Sequence, residues 1–156
     1  MDKKMFCFQC EQTVGCAGCT GNAGVCGKKA DTARLQDELT GALIGLARAV
    51  DSTTAISKRT GQVIIEGLFT TVTNVNFDDA SIENMIQKVR AEKERLVPDC
   101  SKGQSPCGKT GEYDMQQLWN ANEDIRSLKS LILFGIRGMA AYAYHANVLN
   151  YEDTEV

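Results

Sequence analysis

Histidine is nearly missing from this chain of 156 residues: His145 stands alone. A metal centre built from imidazoles, or a mechanism needing two histidines, is therefore excluded. Basic residues are not in excess. Lys and Arg number 17 against 20 Asp and Glu, a net charge of −3, so no footprint exists for a phosphate backbone and nucleic acid is not an expected partner. Long apolar runs are also absent. Stretches such as Leu131 to Phe134 are far too short to span a bilayer, and no membrane partner is expected. Met1-Asp2-Lys3-Lys4 is not followed by the apolar core of a secretory signal, which predicts a cytoplasmic chain. Only two prolines occur, both between residues 98 and 118, so helices elsewhere are uninterrupted. With 43% hydrophobic and 24% charged residues, the composition is that of a folded domain.

What the chain has is cysteine. Cys7, Cys10, Cys16, Cys19 and Cys26 fall within twenty residues, and Cys100 and Cys107 follow much later. The total of seven is odd, and a reducing compartment disfavours structural disulfides. The first five sit in a segment dense in glycine, with Gly15, Gly18, Gly21, Gly24 and Gly27. Such backbone wraps closely around a bound group and turns its N–H groups inward. Cys7 and Cys10 form a CxxC. Completing a four-thiolate set with Cys19 and Cys26 gives C-x2-C-x8-C-x6-C, and with Cys16 in place of Cys19 it gives C-x2-C-x5-C-x9-C.

Four thiolates suit a structural zinc ion or an iron–sulfur cluster. Zinc sites usually pair two CxxC knuckles, and the second half here is not one. Irregular glycine-rich wrapping favours the cluster. A redox dithiol calls for a strand before the CxxC, and only Met5-Phe6 precedes it. Cys16, Cys100 and Cys107 read as spare thiols, His145 as a packed or solvated side chain, and Trp119 as a core anchor. Phe6 and Phe8 read as shields for the site or as packing against the first helix.

The remainder predicts an all-α fold, helical bundle(s) behind an N-terminal Cys/Gly-rich cluster-binding loop. Leu35, Leu39, Leu43, Leu46 and Val50 recur at three- and four-residue steps from about Ala30 to Asp51. Residues 62–75 mix strand-favouring residues with a helical face of Ile64, Ile65, Leu68, Phe69 and Val72; helix is predicted. Asp78 or Asp79 caps a helix carrying Ile82, Met85, Ile86, Val89 and Leu96, which stops before Pro98. Residues 98–118 are expected to be a long loop. Asn120 with Glu123 resembles a capping box for a last helix whose apolar positions are Ile125, Leu128, Leu131, Ile132, Gly135, Met139, Tyr142, Ala146 and Leu149. Gly135 and Gly138 would allow close helix packing there.

The stretches MFCFQCEQT, GCT at Gly18-Cys19-Thr20 and GVCGK at Gly24 to Lys28 resemble the N-terminus of the hybrid-cluster (prismane) proteins, the hydroxylamine reductase family. EGLFTTVTNVNFDDA and NEDIRSLKSLILFGIRGMAAYAYHANVL resemble later segments of that family. The resemblance implies that Cys7, Cys10, Cys19 and Cys26 hold a [4Fe-4S] cluster, or a [2Fe-2S] cluster as in members with altered spacing. It implies a loop at 1–28 and a helical region at 29–156, together one N-terminal domain of a longer architecture. The hybrid Fe–S–O cluster, where hydroxylamine or nitric oxide is reduced, is implied only beyond this segment. On that basis the chain carries electrons from a redox donor protein to the remaining domains and holds no catalytic residue itself. The alternative is a zinc- or cluster-stabilised helical binding module without a redox role.

Overall fold

The computed structural model describes residues 5–10, 17–51, 56–73, 75–97 and 111–151, the side chain of Asp51 excepted. Cys16, Cys100, Cys107 and most of the loop expected at 98–118 lie outside the described residues. The fold is all-α, as expected. Five helices occur among the described residues: α1 (Ala30–Asp51), α2 (Lys58–Thr70), α3 (Asp79–Leu96), α4 (Met115–Trp119) and α5 (Glu123–Val148).

Helix α1 forms over the predicted span. Its stripe of Leu35, Leu39, Leu43 and Leu46 meets Val63 of α2 and Ile82, Met85, Ile86 and Val89 of α3 in one buried core. The ambiguous segment 62–75 is helical as far as Thr70, because its apolar face has this core to pack on, while no strand pairs with it among the described residues; Thr71 closes the helix, so Val72 lies beyond it. The helix begins earlier than expected, at Lys58, where the Ser57 hydroxyl accepts from the Thr60 N–H. Asp78 caps α3 by accepting from the Ala80 N–H. Glu92, buried on α3, accepts from Thr60 at 2.7 Å and Arg95 at 2.6 Å and faces Arg59 at 3.0 Å. These partners, Arg95 first, hold its carboxyl at about 2 and tie α2 to α3.

Three expectations are corrected. The end of the presumed loop is helical: Asp114 caps the single turn α4, with Met115 and Leu118 buried. The cap of α5 is accordingly Asn122, whose side chain accepts from the Asp124 N–H, while Asn120 closes α4. The apolar stripe of α5 does not face this core either. Leu128, Leu131, Ile132, Met139 and Tyr142 are 59–83% exposed, and among the described residues a Cβ on Gly135 or Gly138 would meet no neighbour within 4 Å. The helix packs on α2 through its other side. There Tyr144 stacks on Phe69 at 4.4 Å, and the buried Arg137 donates to the hydroxyls of Thr71 and Thr40 at 3.0 Å each.

Close approach explains one glycine. The Tyr113 N–H donates to the Gly41 carbonyl at 3.1 Å, and a Cβ on Gly41 would stand 2.2 Å from the Tyr113 carbonyl oxygen. Among the described residues, a Cβ on Gly61 of α2 would meet nothing within 4 Å. Gly41→Ala is expected to lower stability by about 1–3 kcal/mol through this overlap, and Gly61→Ala to raise it by roughly 0.5–1 kcal/mol through helix propensity. Urea unfolding of both variants checks the pair.

Candidate metal centre

The cysteine segment is anchored before any ligand is considered. Cys7 and Cys19 exchange both backbone hydrogen bonds, Cys7 N–H to Cys19 O at 3.1 Å and Cys19 N–H to Cys7 O at 2.7 Å. This antiparallel bridge brings residues twelve apart in sequence side by side, both buried. It requires Gly18 beside it. The φ of Gly18 is +86°, and a Cβ there would come within 3.2 Å of the Cys7 carbonyl and the Phe6 ring. Cys10, half-buried, ends the CxxC. Cys26 sits in a turn closed by the Gly24 N–H to the Lys28 carbonyl and the Gly27 N–H to the Gly24 carbonyl, each 2.8 Å, with Gly27 at φ +83°. The Cys26 sulfur lies 3.4 Å from the point where a Gly24 Cβ would stand, and the Met5 methyl lies at the same distance.

Cys7, Cys10, Cys19 and Cys26 are all free thiols in the structure. Among the described residues, no three His, Cys, Asp or Glu side chains are drawn together as a chelate for one ion. The test of whether an anionic cluster fits lies in the charges around the sulfurs. Lys28 is 3% exposed, and its Nζ lies 3.9 Å from the Cys7 Sγ and donates to the Gln9 side-chain oxygen Oε1 at 3.0 Å. Arg137 is 5% exposed, and its hydrogen bonds among the described residues go to two hydroxyls. Among the described residues neither cation has a carboxylate within ion-pair distance. The Asp37 carboxylate acts on both from farther off, one negative charge against two buried cations, and thiolates beside Lys28 would add to it. The donor set and its surroundings therefore fit the group that the resemblance implies.

Gln9, lying between the two cysteines of the CxxC, joins this pocket to α1. Its amide nitrogen donates to Asp37 at 2.5 Å and lies 3.5 Å from the Ala33 carbonyl. Burial raises the Cys7 thiol, while the Gln9 backbone N–H and the Lys28 charge pull it down. Phe6 and Phe8 meet Trp119 of α4 at 5.2 and 5.0 Å, so the shield expected of the two phenylalanines is completed by the tryptophan. His145 is exposed at the far end of α5, edge-on to Phe69. Sequence reasoning had Gln9 and Lys28 only as motif letters, and missed Asp37 and Arg137 altogether. The available signal was a lysine set into a stretch otherwise given over to glycine, cysteine and small residues.

Asp37 lines a cleft of about 710 Å³ with Phe6, Arg34, Glu38, Tyr113 and Gln116. Burial raises its carboxyl to about 6, although Gln9, Arg137 and Lys28 pull downward. A folded-state pKa above the ordinary 3.8 means that the folded chain holds this proton longer. Stability is therefore greatest below the lower value and falls as the pH climbs through the upper one. Asp37→Asn keeps an acceptor for Gln9 and removes the titration. Thermal unfolding of cluster-free protein should show the two chains diverging between about pH 4 and 6, the parent losing on the order of 2 kcal/mol relative to the variant.

The sequence profile of the Prismane/CO dehydrogenase family matches residues 5–156. The hydroxylamine reductase of Methanococcus vannielii is 39% identical over 170 aligned positions, covering 97% of this chain and 31% of that protein. The hydroxylamine reductase of Clostridium perfringens gives the same identity and coverage over 173 positions. That of Porphyromonas gingivalis is 39% identical across the whole of this chain and 32% of its own length. The chain thus spans about a third of the curated relatives it matches.

Proposed function

The chain belongs to the Prismane/CO dehydrogenase family, and from that premise we propose that it is the iron–sulfur electron-transfer part of a cytoplasmic hydroxylamine reductase, with Cys7, Cys10, Cys19 and Cys26 as cluster ligands. The observation that carries the proposal is the Cys7–Cys19 bridge packed against a buried, carboxylate-free Lys28. It aligns two of the four thiolates beside a buried ammonium group that, among the described residues, has no carboxylate within ion-pair distance, Asp37 acting on it from farther off. When bound, a cluster saturated by four thiolates supplies one-electron transfer and leaves no site for a substrate. The rest is the work of side chains. Gly18 and Gly27 take the left-handed backbone that brings the ligands round. Met5, Phe6, Phe8 and Trp119 exclude water on one side. Lys28 and Arg137 balance thiolate charge.

In this reading the residues for hydroxylamine chemistry lie in the part of the relatives that this chain does not span. The parent reaction, hydroxylamine with two electrons and two protons giving ammonia and water, takes place there, at the hybrid Fe–S–O centre. The exposed stripe of α5 supports that arrangement. Ile125, Leu128, Ile132, Met139 and Tyr142 recur at three- and four-residue steps through Gly135, the pattern of a helix that receives other helices. Leu131→Lys is expected to change the stability of this chain by less than about 0.5 kcal/mol, and to cost about 2 kcal/mol or more in a chain of full family length. Denaturant unfolding of both lengths checks this.

The central test is anaerobic purification with metal and sulfide analysis. A brown protein bleached by dithionite, with about four iron atoms and as many sulfides per chain, supports a cubane; about two of each supports [2Fe-2S]. Cys7→Ser and Cys19→Ser should each lose the colour, whereas Cys16→Ser and Cys100→Ser should keep it. A colourless chain holding a single zinc overturns the redox role in favour of a metal-tied binding module.

A further inference from the structure

A buried lysine is costly unless it is paired, and Lys28 has an unusual set of neighbours. At 3% exposure its ammonium group donates to the Gln9 side-chain oxygen at 3.0 Å, lies 3.9 Å from the Cys7 sulfur and stands 5.9 Å from the centre of the Phe77 ring. A neutral amide and a ring face compensate little of a full charge, and the Asp37 carboxylate acts on it only from beyond Gln9. The Cys7 sulfur is the one group in this set that becomes an anion when a cluster is bound. The arrangement is held from both ends. The Lys28 carbonyl accepts from the Gly24 N–H at 2.8 Å, so the turn that presents Cys26 also carries Lys28 beneath Cys7. Gln9, 6% exposed, has its orientation decided by its partners. Its nitrogen must face the Asp37 carboxylate, which cannot donate when ionised, so its oxygen must face the lysine. Asp37, Gln9, Lys28 and Cys7 form one hydrogen-bonded line from α1 to the sulfur.

We infer that Lys28 is a positioning residue whose buried charge, aimed by Gln9, contacts the Cys7 thiolate and raises the reduction potential of the centre. The inference rests on the electron-transfer role proposed above. Its physics is direct. Reduction adds one electron and no bond, so the site gains one negative charge. A fixed cation within a few ångströms in a dry pocket favours that reduced state. Arg137 contributes in the same sense from α5, but it meets hydroxyls and not a cysteine. Lys28 is therefore the group whose removal acts on a ligand directly.

The experiment is a dithionite redox titration, followed by visible absorption and electron paramagnetic resonance, on anaerobically purified parent, Lys28→Met, Lys28→Arg and Gln9→Glu, with iron and sulfide measured on each. Lys28→Met with parental iron content should show at least about a tenfold smaller reduced-to-oxidised ratio at a given potential, a midpoint lower by 59 mV for a one-electron couple. Lys28→Arg, which keeps the charge, should stay close to the parent. Gln9→Glu, which sets a carboxylate against the lysine, should fall in the same direction as Lys28→Met. An iron-replete Lys28→Met with an unchanged midpoint overturns the inference. If Lys28→Met fails to take up iron, Gln9→Glu decides: a lowered midpoint supports the role and an unchanged one overturns it. A parent chain that itself holds no iron and sulfide refutes the electron-transfer reading and removes the inference with it, an outcome distinct from a loaded parent whose variants do not move.

Discussion

Two backbone hydrogen bonds between Cys7 and Cys19 carry most of what is specific about this molecule. Without them the N-terminal segment is a glycine-rich chain with a high entropic cost of ordering. With them, the sequence between the two cysteines becomes a closed loop, and two thiols are held side by side whatever the rest of the loop does. The bridge depends in turn on Gly18, because a side chain there meets both the Cys7 carbonyl and the Phe6 ring. It is a small element, and it decides where the sulfurs point.

The helices serve as the foundation for that bridge. Met5, Cys7 and Cys19 pack on Ala30 and Ala33 at the start of α1, so the cysteine segment shares a small apolar core with the bundle. The polar joint runs alongside. Gln9 reaches Ala33 and Asp37, while Thr73 after α2 donates to the Gln9 carbonyl at 3.4 Å. Arg137 ties α5 to both α1 and α2 through Thr40 and Thr71. A cation so placed is paid for in desolvation, which lowers its pKa to about 10. The Asp37 carboxylate offsets part of that cost.

Helix periodicity was legible wherever a buried stripe had a partner within the chain. The leucines of α1 and the Ile82–Val89 face of α3 form the core that their spacing predicts. Residues 62–70 were harder, since β-branched side chains favour strands locally; the tertiary core overrode propensity. The stripe of α5 was equally clear as a pattern, yet periodicity says only that a helix has an apolar side and not what covers it. Here the covered side is the opposite one, where Arg137 and Ala140 are buried. The turn of α4 was invisible because five residues are too few to show a period.

The cysteine spacing, the glycines between the cysteines and the helical repeat are properties of residue order, and they were sufficient for the fold class, the candidate ligands and the family likeness. Which cysteines become neighbours was not available from order alone, because a loop's closure depends on backbone hydrogen bonds formed across it. Nor was the charge of the pocket. Lys28, Asp37 and Arg137 are ordinary surface-type residues until folding buries Lys28 and Arg137 and half-buries Asp37. Their electrostatic weight comes from the low-dielectric surroundings, and those surroundings exist only once α1, α2, α5 and the loop have met.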